Sequence, residues 1–144
     1  AVINQLLNRI EARYMFLGNK DYQQVYLIKK FIKKKFNVKI ISCKTVRDNS
    51  SLAYSSRTLN LSNSEKIKAS ILTKELIMFF KQLKKNIKNS KKVKNIKNQF
   101  SKYGIKIEYL EIRNKFNLSK QFNRNNFKLF VAFYINKVRL IDNF

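Results

Sequence analysis

Tyr54-Ser55-Ser56-Arg57 sets two adjacent hydroxyls and a guanidinium just ahead of a segment that opens a helix. Backbone N–H groups, small hydroxyls and the flat Arg fork together suit a phosphate or another planar oxyanion. Ser-Ser-Arg also arises by chance in solvated turns, so its meaning depends on its surroundings. A second candidate is Gly18-Asn19-Lys20-Asp21, between a short apolar run and an amphipathic segment. Lys20 could donate to a phosphate, and Asp21 suits an N-cap. Lys20 fits equally well as one more surface lysine, since Lys and Arg total 32 of 144 residues. The chain has no His and one Cys, Cys43. That removes the usual general base near neutral pH, most zinc chemistry and any disulfide framework.

The elements that must position these residues can be read from periodicity. Val2, Leu6, Leu7 and Ile10 predict a helix over residues 1–13. Tyr14-Met15-Phe16-Leu17, ending at Gly18, predicts a short buried strand. Val25, Ile28, Ile32 and Phe36 form one stripe of a helix over Asp21–Phe36, with Lys29, Lys30, Lys33 and Lys34 mostly elsewhere. Val38–Cys43 predicts a second buried strand. Strand, helix, strand at this length is a βαβ unit with parallel strands. It puts the Gly18–Asp21 turn at the carboxyl end of a strand and the start of a helix, where α/β sheets bind anions.

Lys44–Leu61 lacks periodicity and reads as a loop and hinge. Ser62-Asn63-Ser64-Glu65 fits a capping box. It opens a helix whose expected stripe is Ile67, Ile71, Leu76, Phe80, Leu83 and Ile87, interrupted at Asn89-Ser90. Val93, Ile96, Phe100 and Tyr103 predict a second helix closed by Gly104. Strands follow at Ile105–Arg113, Phe127–Ile135 and Val138–Ile141, with a polar loop over Asn114–Asn126 and a two-residue turn at Asn136-Lys137. The fold class expected is therefore α/β plus α+β: a βαβ piece, then helices on a small antiparallel sheet.

The net charge of +24 admits a nucleic-acid or anionic-membrane partner. It is also what AT-rich coding favours, with Lys, Asn, Ile, Phe and Tyr abundant, Gly at 2 and Pro absent. The lysines of Lys81–Lys97 read most simply as the solvated face of the helix pair. No apolar run has the ~18–20 residues that span a bilayer, and no signal peptide is visible. A cytoplasmic setting without a membrane partner is expected. The chain starts at Ala1 on an apolar segment, which suggests a missing upstream part.

Several spaced segments together resemble one family, pantothenate synthetase (pantoate–β-alanine ligase), over its C-terminal half. Its GEKD-x-QQ segment reads here Gly18-Asn19-Lys20-Asp21-Tyr22-Gln23-Gln24. Its T-V-R, followed by D-G-L-A-[LM]-S-S-R-N, reads Thr45-Val46-Arg47, then Ser50-Ser51-Leu52-Ala53-Tyr54-Ser55-Ser56-Arg57-Thr58. Its Y-L-S segment is matched by Leu59-Asn60-Leu61-Ser62. Its Y-x-E-I strand and R-L-I-D-N ending are Tyr109-Leu110-Glu111-Ile112 and Arg139-Leu140-Ile141-Asp142-Asn143.

The resemblance implies a Rossmann-like nucleotidyl-transferase fold, with residues 1–45 as the tail of the adenylate-forming domain and residues 46–144 as its C-terminal lid. It implies that ATP and pantoate form pantoyl adenylate and pyrophosphate, and that β-alanine then displaces AMP to give pantothenate. Mg2+ accompanies the triphosphate. Gly18, Asn19, Lys20 and Asp21 would line the nucleotide site with Val46 and Tyr54, Lys20 lying on the phosphates. Gln24 would bind pantoate. Ser55, Ser56 and Arg57 would clamp the phosphates, and no protein ligand to a metal is expected. The family's HxGH motif lies in the first half, so an N-terminal half is an expected partner, and the complete enzyme is expected to be a homodimer. Asn19 stands for the family Glu, Ser50-Ser51 for Asp-Gly, Tyr54 for Leu or Met and Thr58 for Asn. Those departures keep a degenerate remnant open. A basic RNA- or polyanion-binding module is the alternative from a different class.

Overall fold

The computed structural model describes residues 2–32 and 34–144, and main chain only at 89–91. Ala1, the expected start of the first helix, and Lys33, expected on the polar side of the second, lie outside the described residues. The chain divides into two compact units, Ala1–Thr45 and Val46–Phe144.

In the first unit, α1 (Val2–Arg9) leads into β1 (Tyr14–Gly18), a 3-10 turn at Asn19–Asp21, α2 (Tyr22–Phe31) and β2 (Lys39–Cys43). The strands are parallel, Tyr14 opposite Lys39 through Gly18 opposite Cys43, as the βαβ pattern requires. Both helices are shorter than expected. After Arg9 the chain tightens, Ala12 N–H donating to the Ile10 carbonyl at 3.0 Å. After Phe31, Lys35 and Phe36 N–H both turn back to the Ile32 carbonyl.

The expectation of buried strands is corrected here. Phe16 is 65 % exposed and Tyr14 54 %, because this two-stranded sheet is packed on one face only. Leu7, Val25, Ile28 and Val38 form the small buried interior. Leu27 and Phe31 stay exposed on the other side of α2. Asp21 holds the N-cap position of α2, as expected, but makes no side-chain cap bond.

The second unit holds a larger core. A loop, tied by a bridge between Arg47 and Ala53, leads through a 3-10 turn at Ser56–Asn60 into α3 (Asn63–Lys85). A second 3-10 stretch, Ile87–Lys92, precedes α4 (Val93–Ser101). Then come β3 (Ile105–Asn114), β4 (Phe127–Ile135) and β5 (Val138–Asn143), an antiparallel sheet with β4 central. The Ser62–Glu65 capping box forms in both directions, at 2.8 and 3.3 Å. Asn136 takes φ 51 in the β4–β5 turn, and Gly104 takes φ 73 just past α4, conformations that Asn and Gly tolerate best.

The expected stripe of α3 is out of phase at its start. Ile67 and Ile71 are 61 % and 55 % exposed. The helix instead buries Ala69, Leu72, Leu76, Phe79 and Leu83. On that face the Ser70 hydroxyl donates to the Ser50 carbonyl at 2.6 Å, and Ala69, Leu72 and Leu76 join the core cluster. Tyr103, expected on the stripe of α4, is 59 % exposed, while Ile96 and Phe100 are buried. Leu129, Val131 and Ala132 of β4 are fully buried, as a strand covered on both faces should be. Truncating a large residue such as Leu129 to Ala would cost about 2–5 kcal/mol.

Candidate functional site

In the first unit, β1 ends at Gly18, and the next three residues make a 3-10 turn before α2. Gly18, Asp21 and Gln24 are exposed, and Asn19 and Lys20 half-buried. Gly18 has ordinary extended backbone, φ −72 and ψ 128. A Cβ added there would meet nothing within 4 Å. Neither backbone strain nor packing inside this unit calls for glycine. In the same turn, burial and then neighbouring Tyr26 push the Tyr22 phenol above its ordinary value.

In the second unit, the loop that carries the hydroxyls is held by two anchors. Asp48 is the first. Its Oδ1 accepts from the Ser50 hydroxyl at 2.7 Å and from Ser50 and Leu52 N–H, both at 2.9 Å. The Ser50 hydroxyl, then those two amides, hold its carboxyl below the usual range. Arg47 is the second. Its guanidinium grips Asp142 of β5 fork to fork, at 2.6 and 2.9 Å, and also donates to the Ser51 carbonyl at 3.1 Å. The Asp142 side chain is 5 % exposed and that of Arg47 22 %. The guanidinium also lies over the Phe144 ring, 4.9 Å from its centroid. Between the anchors, Ser51 takes φ 76, the left-handed region that a Cβ disfavours.

This loop frames a cavity of about 610 Å³ lined in part by Tyr54, Ser55, Ser56, Thr58 and Lys66. Ser55 Oγ accepts the Arg57 amide at 3.2 Å, and Thr58 Oγ1 donates to the Ser55 carbonyl at 2.6 Å. The 3-10 turn thus presents the serines on a fixed backbone. Arg57 does not line the cavity; its Nη1 donates to the Arg139 carbonyl at 3.5 Å. Val46 is exposed, and its carbonyl accepts the Tyr54 amide at 3.1 Å. Lys66, in the first turn of α3, adds a cation to this cavity that motif reading missed. Only its place a turn after the capping serine could have suggested it. Asp48 also lines the cavity, its Oδ1 engaged by Ser50 and Leu52, and the hydroxyls and the Lys66 cation can hold an oxyanion.

Among the described residues, no group of three or more His, Cys, Asp or Glu could hold a metal ion. No described helix is long and apolar enough to cross a membrane. The structure brings Tyr54, Ser55 and Ser56 together on one cavity in the second unit, while Gly18–Asp21 and Gln24 belong to the first.

A parallel βαβ unit with an open strand-to-helix turn, followed by helices on an antiparallel sheet with a hydroxyl-lined cavity, defines an α/β plus α+β protein. The family model described as pantoate-beta-alanine ligase matches residues 1–144, and this chain belongs to that family. The pantothenate synthetase of Clostridium novyi (strain NT) is 35 % identical over 147 residues, covering 99 % of this chain and 52 % of that protein. The bifunctional pantoate ligase/cytidylate kinase of Prochlorococcus marinus (MED4) is 36 % identical over 146 residues, covering 99 % of this chain and 28 % of that protein. The chain thus spans about half, or less, of the curated relatives it matches. The crystal structure of the Francisella tularensis pantoate-beta-alanine ligase, complexed with beta-gamma ATP and beta-alanine, superposes with a TM-score of 0.77. It is 35 % identical and covers 99 % of this chain and 47 % of that one. A Thermus thermophilus structure superposes at a TM-score of 0.84 with 23 % identity, covering 100 % of this chain and 53 % of that one, a likeness of fold.

Proposed function

We propose that this chain supplies the C-terminal half of an ATP-dependent ligase that condenses pantoate with β-alanine through a pantoyl-adenylate intermediate. The observation that carries the reading is the family match over the whole chain, joined to a 35 % identical structure that holds beta-gamma ATP and beta-alanine. In the first step a pantoate carboxylate oxygen attacks the α-phosphorus, and the bond to pyrophosphate breaks. In the second, the β-alanine nitrogen attacks the acyl carbon, the acyl–AMP bond breaks and the amine loses a proton. Both steps need positioning and charge stabilisation rather than a protein nucleophile.

The residues divide the work as follows in this reading. Gly18, open to a close approach, Asn19 and Asp21 border the nucleotide, and the Lys20 ammonium lies on its phosphates. Gln24 binds pantoate. Val46 and Tyr54 flank the nucleotide, and Ser55, Ser56 and Arg57 stabilise the charge that develops as pyrophosphate departs. The placement of Ser55 and Ser56 on one cavity supports that role. Mg2+, held by the triphosphate, would supply charge neutralisation. Residues 1–45 are assigned to the adenylate-forming domain and 46–144 to its lid, and the compact-unit boundary after Thr45 supports that division. An N-terminal half carrying HxGH completes the site, the whole enzyme is a homodimer, and its setting is cytoplasmic.

The test is Lys20→Ala in the complex with an N-terminal half from a relative, assayed for pantoyl adenylate in a single turnover. Adenylate formation should fall by about a hundredfold or more, with the thermal melt unchanged. A variant that forms adenylate at the parent rate would remove Lys20 from the phosphates.

A further inference from the structure

The second unit carries another concavity, of about 620 Å³, which shares no lining residue with the serine cavity. Four cations line it: Lys84 at the end of α3, Lys115 and Arg124 in the β3–β4 loop, and Lys128 on β4. Each is fixed in place. Lys84 Nζ lies 4.8 Å from the Phe80 ring centroid. Lys115 Nζ donates to the Asn125 carbonyl at 3.0 Å. Arg124 Nε donates to the Lys84 carbonyl at 2.6 Å. Lys128 Nζ donates to Asn143 Oδ1 at 2.7 Å.

The rest of the wall is largely aromatic, from Phe80, Phe127 and Phe144, and no Asp or Glu lines it among the described residues. Asp142, the carboxylate that acts on Lys128, is already gripped by Arg47. Lys84 and Arg124 are exposed and Lys115 and Lys128 half-buried, and four like charges beside an apolar wall repel one another, so an incoming anion relieves that repulsion. A single-stranded nucleic acid would suit a stripe of cations with stacking faces along it. These cations instead line one open concavity from α3, a loop and β4, which matches a compact anion of high charge.

We propose that this hollow is a binding site for a compact inorganic polyphosphate, of the pyrophosphate or tripolyphosphate class, separate from the proposed reaction site. The ammonium and guanidinium groups supply donors for phosphate oxygens, and the fourfold positive charge suits an anion of three to four negative charges. The site stands or falls apart from the ligase reading, since it shares no residue with it.

Calorimetry with pyrophosphate on the 144-residue chain, repeated on Lys115→Gln, Arg124→Gln and their double variant, tests this. The parent should bind pyrophosphate, and the affinity should fall about tenfold with each cation removed. Lys94→Gln, at an exposed lysine of α4 outside both cavities, should leave that binding unchanged. Melting curves establish that the variants fold, and pyrophosphate should raise the parent melt but not that of the double variant. Parent-like pyrophosphate affinity in a folded double variant would overturn the site, as would no binding to the parent at millimolar pyrophosphate. A decanucleotide RNA that binds more tightly than tripolyphosphate, with the same dependence on Lys115 and Arg124, would also overturn it in favour of a nucleic-acid surface. ATP serves as the last arm: if it binds this hollow only as strongly as tripolyphosphate, the phosphates alone are recognised, and a strong preference for ATP would overturn the inorganic assignment.

Discussion

Removing Arg47 should unfold the second unit more readily than any change on its surface. The guanidinium meets Asp142 through two bonds, at 2.6 and 2.9 Å, and the carboxylate is 95 residues away along the chain. Asp142 is nearly sealed, and without Arg47 the bond it keeps is from the Asn143 amide at 2.8 Å. Stranding one member of such a pair costs about 3–5 kcal/mol. Arg47 is about a fifth exposed, so water can partly replace it, and Arg47→Ala should cost about 3 kcal/mol. The bond to the Ser51 carbonyl contributes about 1 kcal/mol of that figure. Urea unfolding of Arg47→Ala, Asp142→Ala and the double variant closes a thermodynamic cycle. The coupling should be about 2 kcal/mol, and Arg47→Met with Asp142→Leu should recover most of the parent stability. Additive single effects, or a loss below about 1 kcal/mol for Arg47→Ala, would refute the pair as the anchor of this loop.

Ser51→Gly should stabilise the chain by about 0.5–1 kcal/mol, because φ 76 suits Gly and strains Ser; a lower urea midpoint for the variant would contradict this. Lys128 gives a pH signature. Burial, aided by Arg47, Lys84 and Lys115 and opposed by Asp142, lowers its pKa from 10.5 to about 8. Below pH 8 both folded and unfolded chains carry this charge, and its burial penalty is fully present. Between about pH 8 and 10.5 the unfolded chain binds the extra proton, so this group makes stability rise with pH. Lys128→Met should therefore be more stable than the parent near pH 7, by about 1–2 kcal/mol after screening by water. The gap should close by about pH 10.5, and a constant gap across that range would exclude the linkage.

Local signals carried much of this architecture into the sequence. The capping box needs only Ser62 and Glu65, three residues apart, and it forms. The βαβ unit follows from two apolar runs flanking one amphipathic run, and β4 from an almost unbroken apolar stretch. Burial was harder to read, because it depends on neighbours that sequence patterns do not supply. Phe16 and Tyr14 look like core but face outward in a sheet of two strands. Ile67 and Ile71 look like a helix stripe, yet Ala69 and Leu72 are the residues that are buried.

The site was legible as motifs rather than as geometry. Tyr54, Ser55 and Ser56 share a cavity, but nothing in the tripeptide showed that Arg57 turns to the Arg139 carbonyl or that Lys66 joins the wall. Arg47 and Asp142 belong to separate matched segments, and only the fold reveals them as one clasp. The four-cation hollow draws on α3, a loop and β4, so no linear pattern could have displayed it.

The central claim is that this chain is the C-terminal half of a working ligase site. It is tested most directly by AMP release from ATP, pantoate and β-alanine, with the chain alone and with a separately supplied N-terminal half of a relative. AMP should appear only when both halves and all three substrates are present, and the Lys20→Ala variant should lose it. A folded complex of the two halves that binds ATP but releases no β-alanine-dependent AMP would contradict the claim.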